Sequence, residues 1–442
     1  MASGRRIAAT IGRRAAPRPD AALAGRMLPP SARRGLLWVT FVVAALWHAS
    51  DVRAAWTTAQ RVTGANDYAS YHYAAVVAAE GGDPYDGRAL GMAARKEGTR
   101  QGVHPFFYPP PFLLAFAPRA ALPLHDGYLG WFVFDEVAAL GLGAVLAAMA
   151  RRWSTSAAIV ALVLTLAMSA VPNNHVMGQI NLPVLLAAVV GFALAERGRA
   201  RVGGALVGAA AMAKMAPALF VGLWLLQRRW QPFLWACAAA ACLGVASFAV
   251  VHADAQLRFY TEVLPGFSRG DYNGLAVGID LPGNHSLPDW LDRAWPPGPS
   301  PHLVLSSAAT MASRVAAIAL LGVTAWFVGA WRGERVDALA QANRFGAVAA
   351  LTLLLPVITY EHHLVSLLPG LVAAAAARAE GRLPAWSVVV WLFAAAVACA
   401  PWEPLRDAAK AWGGVGGTLL REAKFGAIVA VWGLNLVAGR AR

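Results

Sequence analysis

VGGALVGAAAMAKMAPALFVGLWLL, residues 202–226, is an apolar run with one cation, Lys214, near its middle. A helix needs ~20 residues to cross a bilayer, so the run is long enough for one crossing. Pro217 argues against a single helix, because it removes a backbone donor and disfavours helical geometry at Ala216. The break falls within Met212-Ala213-Lys214-Met215-Ala216-Pro217 and leaves two short apolar halves, 202–213 and 216–226. Whether they make one crossing or two sets the sidedness of everything that follows.

The rest of the chain is of the same kind. Its 442 residues are 58% hydrophobic and 14% charged, with a mean hydropathy of +0.50. A soluble domain has about 45–50% apolar and about 25% charged residues. So much apolar surface behind so few charges excludes a soluble protein, a disordered chain and a coiled coil. An all-α, polytopic integral membrane protein is expected. The net charge of +14 is Arg clustered between apolar stretches, a pattern that orients membrane helices and is no groove for nucleic acid. Cys237, Cys242 and Cys399 lie inside apolar stretches and read as core packers.

Working outward, apolar stretches occur at 35–50, 127–150, 155–172, 181–195, 202–213, 216–226, 231–251, 303–331, 343–359, 363–378, 384–400 and 422–438, about twelve transmembrane helices. Residues 1–34 carry eight Arg against one Asp. They read as a basic cytoplasmic tail, with a cleaved signal peptide as the alternative. Residues 35–442 then form a single transmembrane domain. Arg151/Arg152, Arg197/Arg199/Arg201, Arg228/Arg229, Arg332/Arg335/Arg344, Arg378/Arg382 and Arg440/Arg442 should face the cytoplasm. All do so only if the Lys214 break reaches the outer side and the stretch 105–124 does not cross. That stretch opens Pro-Phe-Phe-Tyr-Pro-Pro-Pro, which suits a re-entrant or interfacial helix in the first outer loop. The polar segments 51–104 (with 105–126 completing that loop), 173–181, 252–302, 359–363, 401–421 and the Lys214 break then share the outer face.

The first outer loop contains Asn66-Asp67-Tyr68-Ala69-Ser70-Tyr71, the start of a helix that Gly81-Gly82-Asp83-Pro84 should end in a turn. Asp67 beside aromatic rings at a membrane surface is a candidate general base for a sugar hydroxyl, or simply a helix cap. Asn173 to Asn181, with His175 and Gln179 between, offers uncharged partners for sugar hydroxyls, and equally for helix ends. Lys214 at membrane depth needs an anion, such as a lipid phosphate, or must snorkel. In Tyr360-Glu361-His362-His363 the adjacent imidazoles should point different ways, so that one enters a site and the other does not. A divalent metal on Glu361 and the imidazoles is the disfavoured alternative, since no His-x3-His or Asp-x-Asp pair completes such a site, and no metal or other cofactor is expected. Asn284 and His285, in the loop 252–302, are either substrate contacts or turn and cap residues.

Taken in order, these pieces resemble the polyprenol-phosphate-mannose-dependent mannosyltransferases of glycosyltransferase family 87. The matching residues are Asp67-x3-Tyr71-x2-Ala74-Ala75 with Gly82-Asp83-Pro84-Tyr85, then Phe107-Tyr108-Pro109-Pro110 and Gly178-Gln179-Ile180-Asn181. Ala213-Lys214-x2-Pro217, Asn284-His285-Ser286-Leu287 and His362-His363 continue the order. His285 stands where the family has Gln. The resemblance implies a GT-C fold and an inverting transfer of a hexose, mannose by the family name, from a polyprenyl phosphate. The acceptor is a lipid or glycan hydroxyl outside the inner (plasma) membrane, and both termini are cytoplasmic. It implies Asp67 as the base, with Lys214 and His362 or His363 on the leaving phosphate. Tyr71, Gln179, Asn181, Asn284 and His285 would hold donor sugar or phosphate, and Phe106, Phe107 and Tyr108 would line a lipid path. The competing reading, a transporter or flippase without catalysis, expects paired intramembrane charges and an inverted repeat. Asp135 and Glu136 are the obvious mid-span acids, and no repeat is visible.

Overall fold

The computed structural model describes residues 30–61, 66–99, 101–329 and 336–440. Among these, every regular element is helical. Most of the expected basic tail, residues 1–29, lies outside the described residues, as do Arg332, Arg335 and Arg442. The helices of eight residues or more begin with α1 (Pro30–Ala59), α2 (Asp67–Ala79), α3 (Gly87–Lys96) and α4 (Leu124–Ala150). Next come α5 (Thr155–Ala167), α6 (Ala170–Met177), α7 (Asn181–Glu196), α8 (Ala200–Ala213), α9 (Ala218–Leu226) and α10 (Trp230–Ala246). The last are α11 (Leu287–Ala294), α12 (Ser307–Val328), α13 (Ala338–Leu354), α14 (Leu368–Ala379), α15 (Ser387–Cys399), α16 (Trp402–Trp412), α17 (Gly414–Arg421) and α18 (Ala423–Ala438).

Four of these are long and apolar enough to cross a membrane: α1 from Gly35, α4, α10 extended to Ala249, and α12. The pairs α5–α6 and α15–α16 pass the same test together but bend by 42° and 106°. Shorter apolar helices, α7, α8, α13 and α18 among them, fill the space between.

The Lys214 break forms where Pro217 requires it. Helix α8 stops at Ala213, Lys214 is extended (φ −151°, ψ 126°), and α9 starts at Ala218. Before the break, α8 packs tightly on α10. A Cβ at Gly204 or Gly208 would fall 2.3 Å from the carbonyl oxygen of Pro232 or Ala236, the close backbone approach that small residues permit between membrane helices. The stretch 105–124 contains only Phe112–Phe116 and a 3-10 turn, Ala117–Ala121. That is too short to cross, and Phe112, Leu113 and Phe116 are buried.

Three local expectations need correcting. Helix α1 runs to Ala59, past the expected end at 50, with Asp51 half-buried and Arg53 exposed along it. Asn173, Asn174 and His175 are helical, on α6 beyond the bend. Cys237 and Cys242 are exposed on α10 and Cys399 is only half-buried; on a membrane helix an apolar position can face lipid as readily as core. All three are free thiols.

A buried polar chain ties α1, α4 and α6 together. His175 bridges Asp135 (2.8 Å) and Glu136 (2.9 Å), and Glu136 also meets His48 (2.9 Å). The mid-span acids thus have partners, as buried charges must.

Candidate active site

Asn66 begins the site. Its side chain accepts from Ala69 N–H at 3.2 Å and caps α2, so the cap role considered for Asp67 belongs to its neighbour. Asp67, first residue of α2, is left free to receive a hydrogen bond from the Gln179 side-chain amide. Gln179 is held in turn. Its carbonyl oxygen accepts from Tyr108 at 3.3 Å, and its backbone oxygen accepts from the Trp131 indole at 3.3 Å. The turn that carries it depends on Gly178, at φ +65°. A Cβ there would come 2.6 Å from Tyr68 Cβ, so the Gly-Gln-Ile-Asn sequence needs glycine for conformation and for space.

Past that turn, Asn181 opens α7. It donates to Asn174 Oδ1 at 2.9 Å and to the His362 carbonyl at 3.3 Å, and accepts from Lys214 Nζ. Asn174 donates to the same carbonyl at 2.8 Å. Asn174 and Asn181 therefore serve the loop joining α13 and α14, whereas Gln179 serves Asp67. Lys214 also lies over the Tyr108 ring, 5.9 Å from its centroid.

Asp67, His104, Phe107, Tyr108, Gln179, Asn181, Lys214, Tyr360, His362 and His363 converge on the polar end of a cavity of about 610 Å³, a size usual for small-molecule sites. From Asn181 its wall continues along α7 through Val184, Leu185 and Ala188, about 10 Å at the helical rise. Leu219, Phe220, Ala317 and Leu353 complete the apolar part. A polar head group with an apolar tail fits this shape.

The electrostatics suit acid–base work. Burial raises the Asp67 pKa above the ordinary carboxyl value; nearby His104, the Gln179 hydrogen bond and the Lys214 charge oppose the rise. Burial, helped by the Lys214 charge, pushes His362 down to about 3 and His363 well below its usual value. Both imidazoles are therefore neutral. His363 Nδ1 accepts the Tyr360 backbone N–H at 2.9 Å, which places its proton on Nε2 as a donor.

Both histidines line the cavity, contrary to the expectation of one. A 3-10 turn over Glu361–Leu367 sets their rings side by side, centroids 4.3 Å apart. Glu361 turns away. Its two oxygens receive Lys424 Nζ at 2.6 Å each, Ser169 donates to one of them, and Lys424 also donates to the Ala400 carbonyl at 2.7 Å.

Asn284 and His285 do not reach the cavity. Asn284 donates to the Ile279 and Val357 carbonyls (3.0 and 2.9 Å) and accepts Thr359 N–H (2.8 Å), and His285 N–H donates to the Thr359 carbonyl (2.8 Å). They brace the irregular segment that leads to Tyr360. Burial and the charges of Lys424 and Arg293 push His285 down to about 3, so its 4.0 Å approach to Glu361 is no ion pair. Tyr71 lies behind the wall, with its hydroxyl donating to Tyr108 at 2.8 Å. Phe106 is core, packed on Tyr85 and Phe112, whereas Phe107 and Tyr108 do face the cavity. His48, Asp135, Glu136 and His175 are absent from its lining. His104, Arg314 and Lys424 escaped sequence reasoning, and Tyr360 entered it only as a neighbour of Glu361. Only His104, next to the Pro-Phe-Phe-Tyr run, carried a local signal.

No solved structure matches the chain at a significant level. Over 340 residues the chain is 29% identical to the polyprenol-phosphate-mannose-dependent alpha-(1-2)-phosphatidylinositol mannoside mannosyltransferase of Mycolicibacterium smegmatis, an alignment covering 72% of each protein. The model of glycosyltransferase family 87 matches residues 106–356, more than half of the chain; Asp67, Tyr71, His362 and His363 stand outside the matched stretch. The chain belongs to glycosyltransferase family 87 and is a membrane glycosyltransferase.

Proposed function

We propose that this hexosyltransferase moves mannose from a polyprenyl-phosphate donor to a hydroxyl of a lipid-linked acceptor, with inversion, on the outer face of the plasma membrane. The observation that carries the reading is the cavity itself. One carboxylate, Asp67, faces one fixed cation, Lys214, and a pair of neutral imidazoles, above an apolar wall. The relative's dependence on a polyprenol-linked mannose and its lipid acceptor support the choice of substrates. A GT-C arrangement of about twelve spans, with both termini cytoplasmic, is part of the same proposal, as is a reaction without a metal.

In this reaction the acceptor oxygen attacks the anomeric carbon from the face opposite the phosphate. Asp67 takes the hydroxyl proton as the new C–O bond forms. The bond from the anomeric carbon to the phosphate oxygen breaks, and polyprenyl phosphate leaves with its electron pair. Lys214 Nζ and His363 Nε2–H stabilise the charge that develops there. Gln179 aims the Asp67 carboxylate, and Tyr108 supports Gln179.

The test is transfer of label from radiolabelled polyprenyl-phosphate mannose to a lipid extract by purified protein, beside Asp67→Asn. General-base loss should lower kcat by about 10²–10⁴-fold while expression and thermal stability persist. Substantial residual turnover in the variant removes Asp67 as base; no transfer by wild type from any sugar in a donor panel removes the reading.

A further inference from the structure

The cavity holds a second cation that the reaction above does not use. Arg314 lies on α12, seven residues after Ser307 and so about 10 Å into the helix. Such an Arg is costly within a membrane helix unless it snorkels or finds an anion. Among the described residues it has no ion pair, and its hydrogen-bond partner is Ser268 Oγ at a marginal 3.5 Å. Beside it, Ser313 also lines the cavity, and its hydroxyl is buried with no hydrogen-bond partner. Among the described residues, a cation without a counter-ion and an unpaired hydroxyl thus stand together.

Their place on the helix is informative. Met311, Val315 and Ile318 form an exposed apolar stripe on α12, the face expected to meet lipid. Arg314 follows Met311 by three positions and precedes Ile318 by four, so it borders that stripe while also lining the cavity. It stands where lipid and cavity meet.

We infer that Arg314 and Ser313, with Ser268, form a second anion subsite in the cavity, for the phosphate of a lipid substrate entering sideways from the bilayer. The guanidinium fork matches two phosphate oxygens at once, which an ammonium cannot do. Lys214 serves the leaving phosphate beside Asp67, so a second phosphate needs its own cation. The inference rests on the proposed reading that two lipids meet here. A lipid phosphate can come from either, the donor's or the acceptor's.

The test varies each lipid separately in turnover by wild type, Arg314→Gln, Arg314→Lys and Ser313→Ala. It also measures binding of polyprenyl phosphate, uncharged polyprenol and phosphatidylinositol to the same proteins in nanodiscs of neutral lipid. Arg314→Gln should raise KM for one lipid about tenfold to a hundredfold, as loss of a hydrogen bond to a charged group does, with kcat nearly unchanged. Arg314→Lys should recover only part. A rise confined to the donor assigns its phosphate; a rise confined to the acceptor assigns that phosphodiester. Unchanged KM for both lipids in an active, folded Arg314→Gln overturns the inference and leaves an arginine that only snorkels. If wild type transfers nothing, the proposed function fails, and the binding arm still decides. Equal binding of the phosphate-bearing lipids by wild type and Arg314→Gln overturns the subsite, whereas weaker binding by the variant upholds it.

Discussion

Replacing Lys424 by methionine keeps most of the aliphatic stem and removes three donors from a closed pocket. Lys424 is 0% exposed and donates to both Glu361 oxygens at 2.6 Å and to the Ala400 carbonyl at 2.7 Å. Removing one member of a buried ion pair costs about 3–5 kcal/mol, because the other charge stays buried without its partner. Here the stranded charge is Glu361, adjoining His362 and His363, with Ser169 still donating to it. The carboxylate can escape by swinging the 360–363 segment toward water, which moves both imidazoles. A displacement of about 1 Å at reacting groups costs about 10²-fold in rate. Lys424→Met should therefore lose about two orders of magnitude in kcat and also melt at a lower temperature in detergent. The double variant Glu361→Gln/Lys424→Met leaves no lone charge and should regain much of the stability, since replacing both partners of a buried pair by neutral groups is often nearly neutral. The measurement is a double-mutant cycle in melting temperature and kcat. A folded Lys424→Met with wild-type kcat, or a double variant no better than Lys424→Met, would refute a positioning role for the pair.

Other consequences are open to simple assays. A general base must be unprotonated to act, so the rate should rise with pH through the pKa of Asp67. Burial lifts that pKa, so the acid limb of the kcat/KM profile should lie above the ordinary aspartate value. Lys214 pulls it down, so Lys214→Met should move the limb further up; a limb that stays put means that another group sets it. At Gly178 the added methyl of alanine would meet Tyr68 at 2.6 Å in a left-handed backbone. Gly178→Ala should lower both melting temperature and kcat, and wild-type values for both would show that the turn can yield.

Much of this was legible in the sequence, and the illegible part has a common physical cause. Pro217 fixed the break at Lys214, and proline density with short length kept 105–124 from crossing, because both are local backbone effects. The residues that touch the cavity were found where a polar side chain interrupts apolar sequence: Asp67, Gln179, Asn181, Lys214, His362 and His363. The same signal misassigned Asn284 and His285. A buried amide serving backbone carbonyls carries the same letters as one serving a sugar, and only the distances to Val357 and Thr359 tell them apart. Tyr71 and Phe106 fail likewise, being aromatic core one layer behind Tyr108. Lys424 could not have been paired with Glu361 at all, because 63 residues and four helices separate them in the chain.

Under the proposed reaction, the cavity's polar end keeps its net charge while the charge moves. Before transfer the carboxylate of Asp67 is negative and the donor phosphodiester carries one charge. As the proton passes to Asp67, the carboxylate becomes neutral and the departing phosphate gains a second charge. Lys214, already near enough to lower the Asp67 pKa, is needed by the carboxylate at the start and by the phosphate at the end. A single cation placed between the two stabilises the motion of charge and not either endpoint alone, which is what lowers a barrier. Neutral imidazoles fit the same logic. A cationic His363 would hold the carboxylate as a carboxylate and resist its protonation, whereas a neutral Nε2–H strengthens its bond to phosphate oxygen only as charge arrives. Burial keeps His362 and His363 neutral, and so leaves Lys214 to follow the charge from base to leaving group.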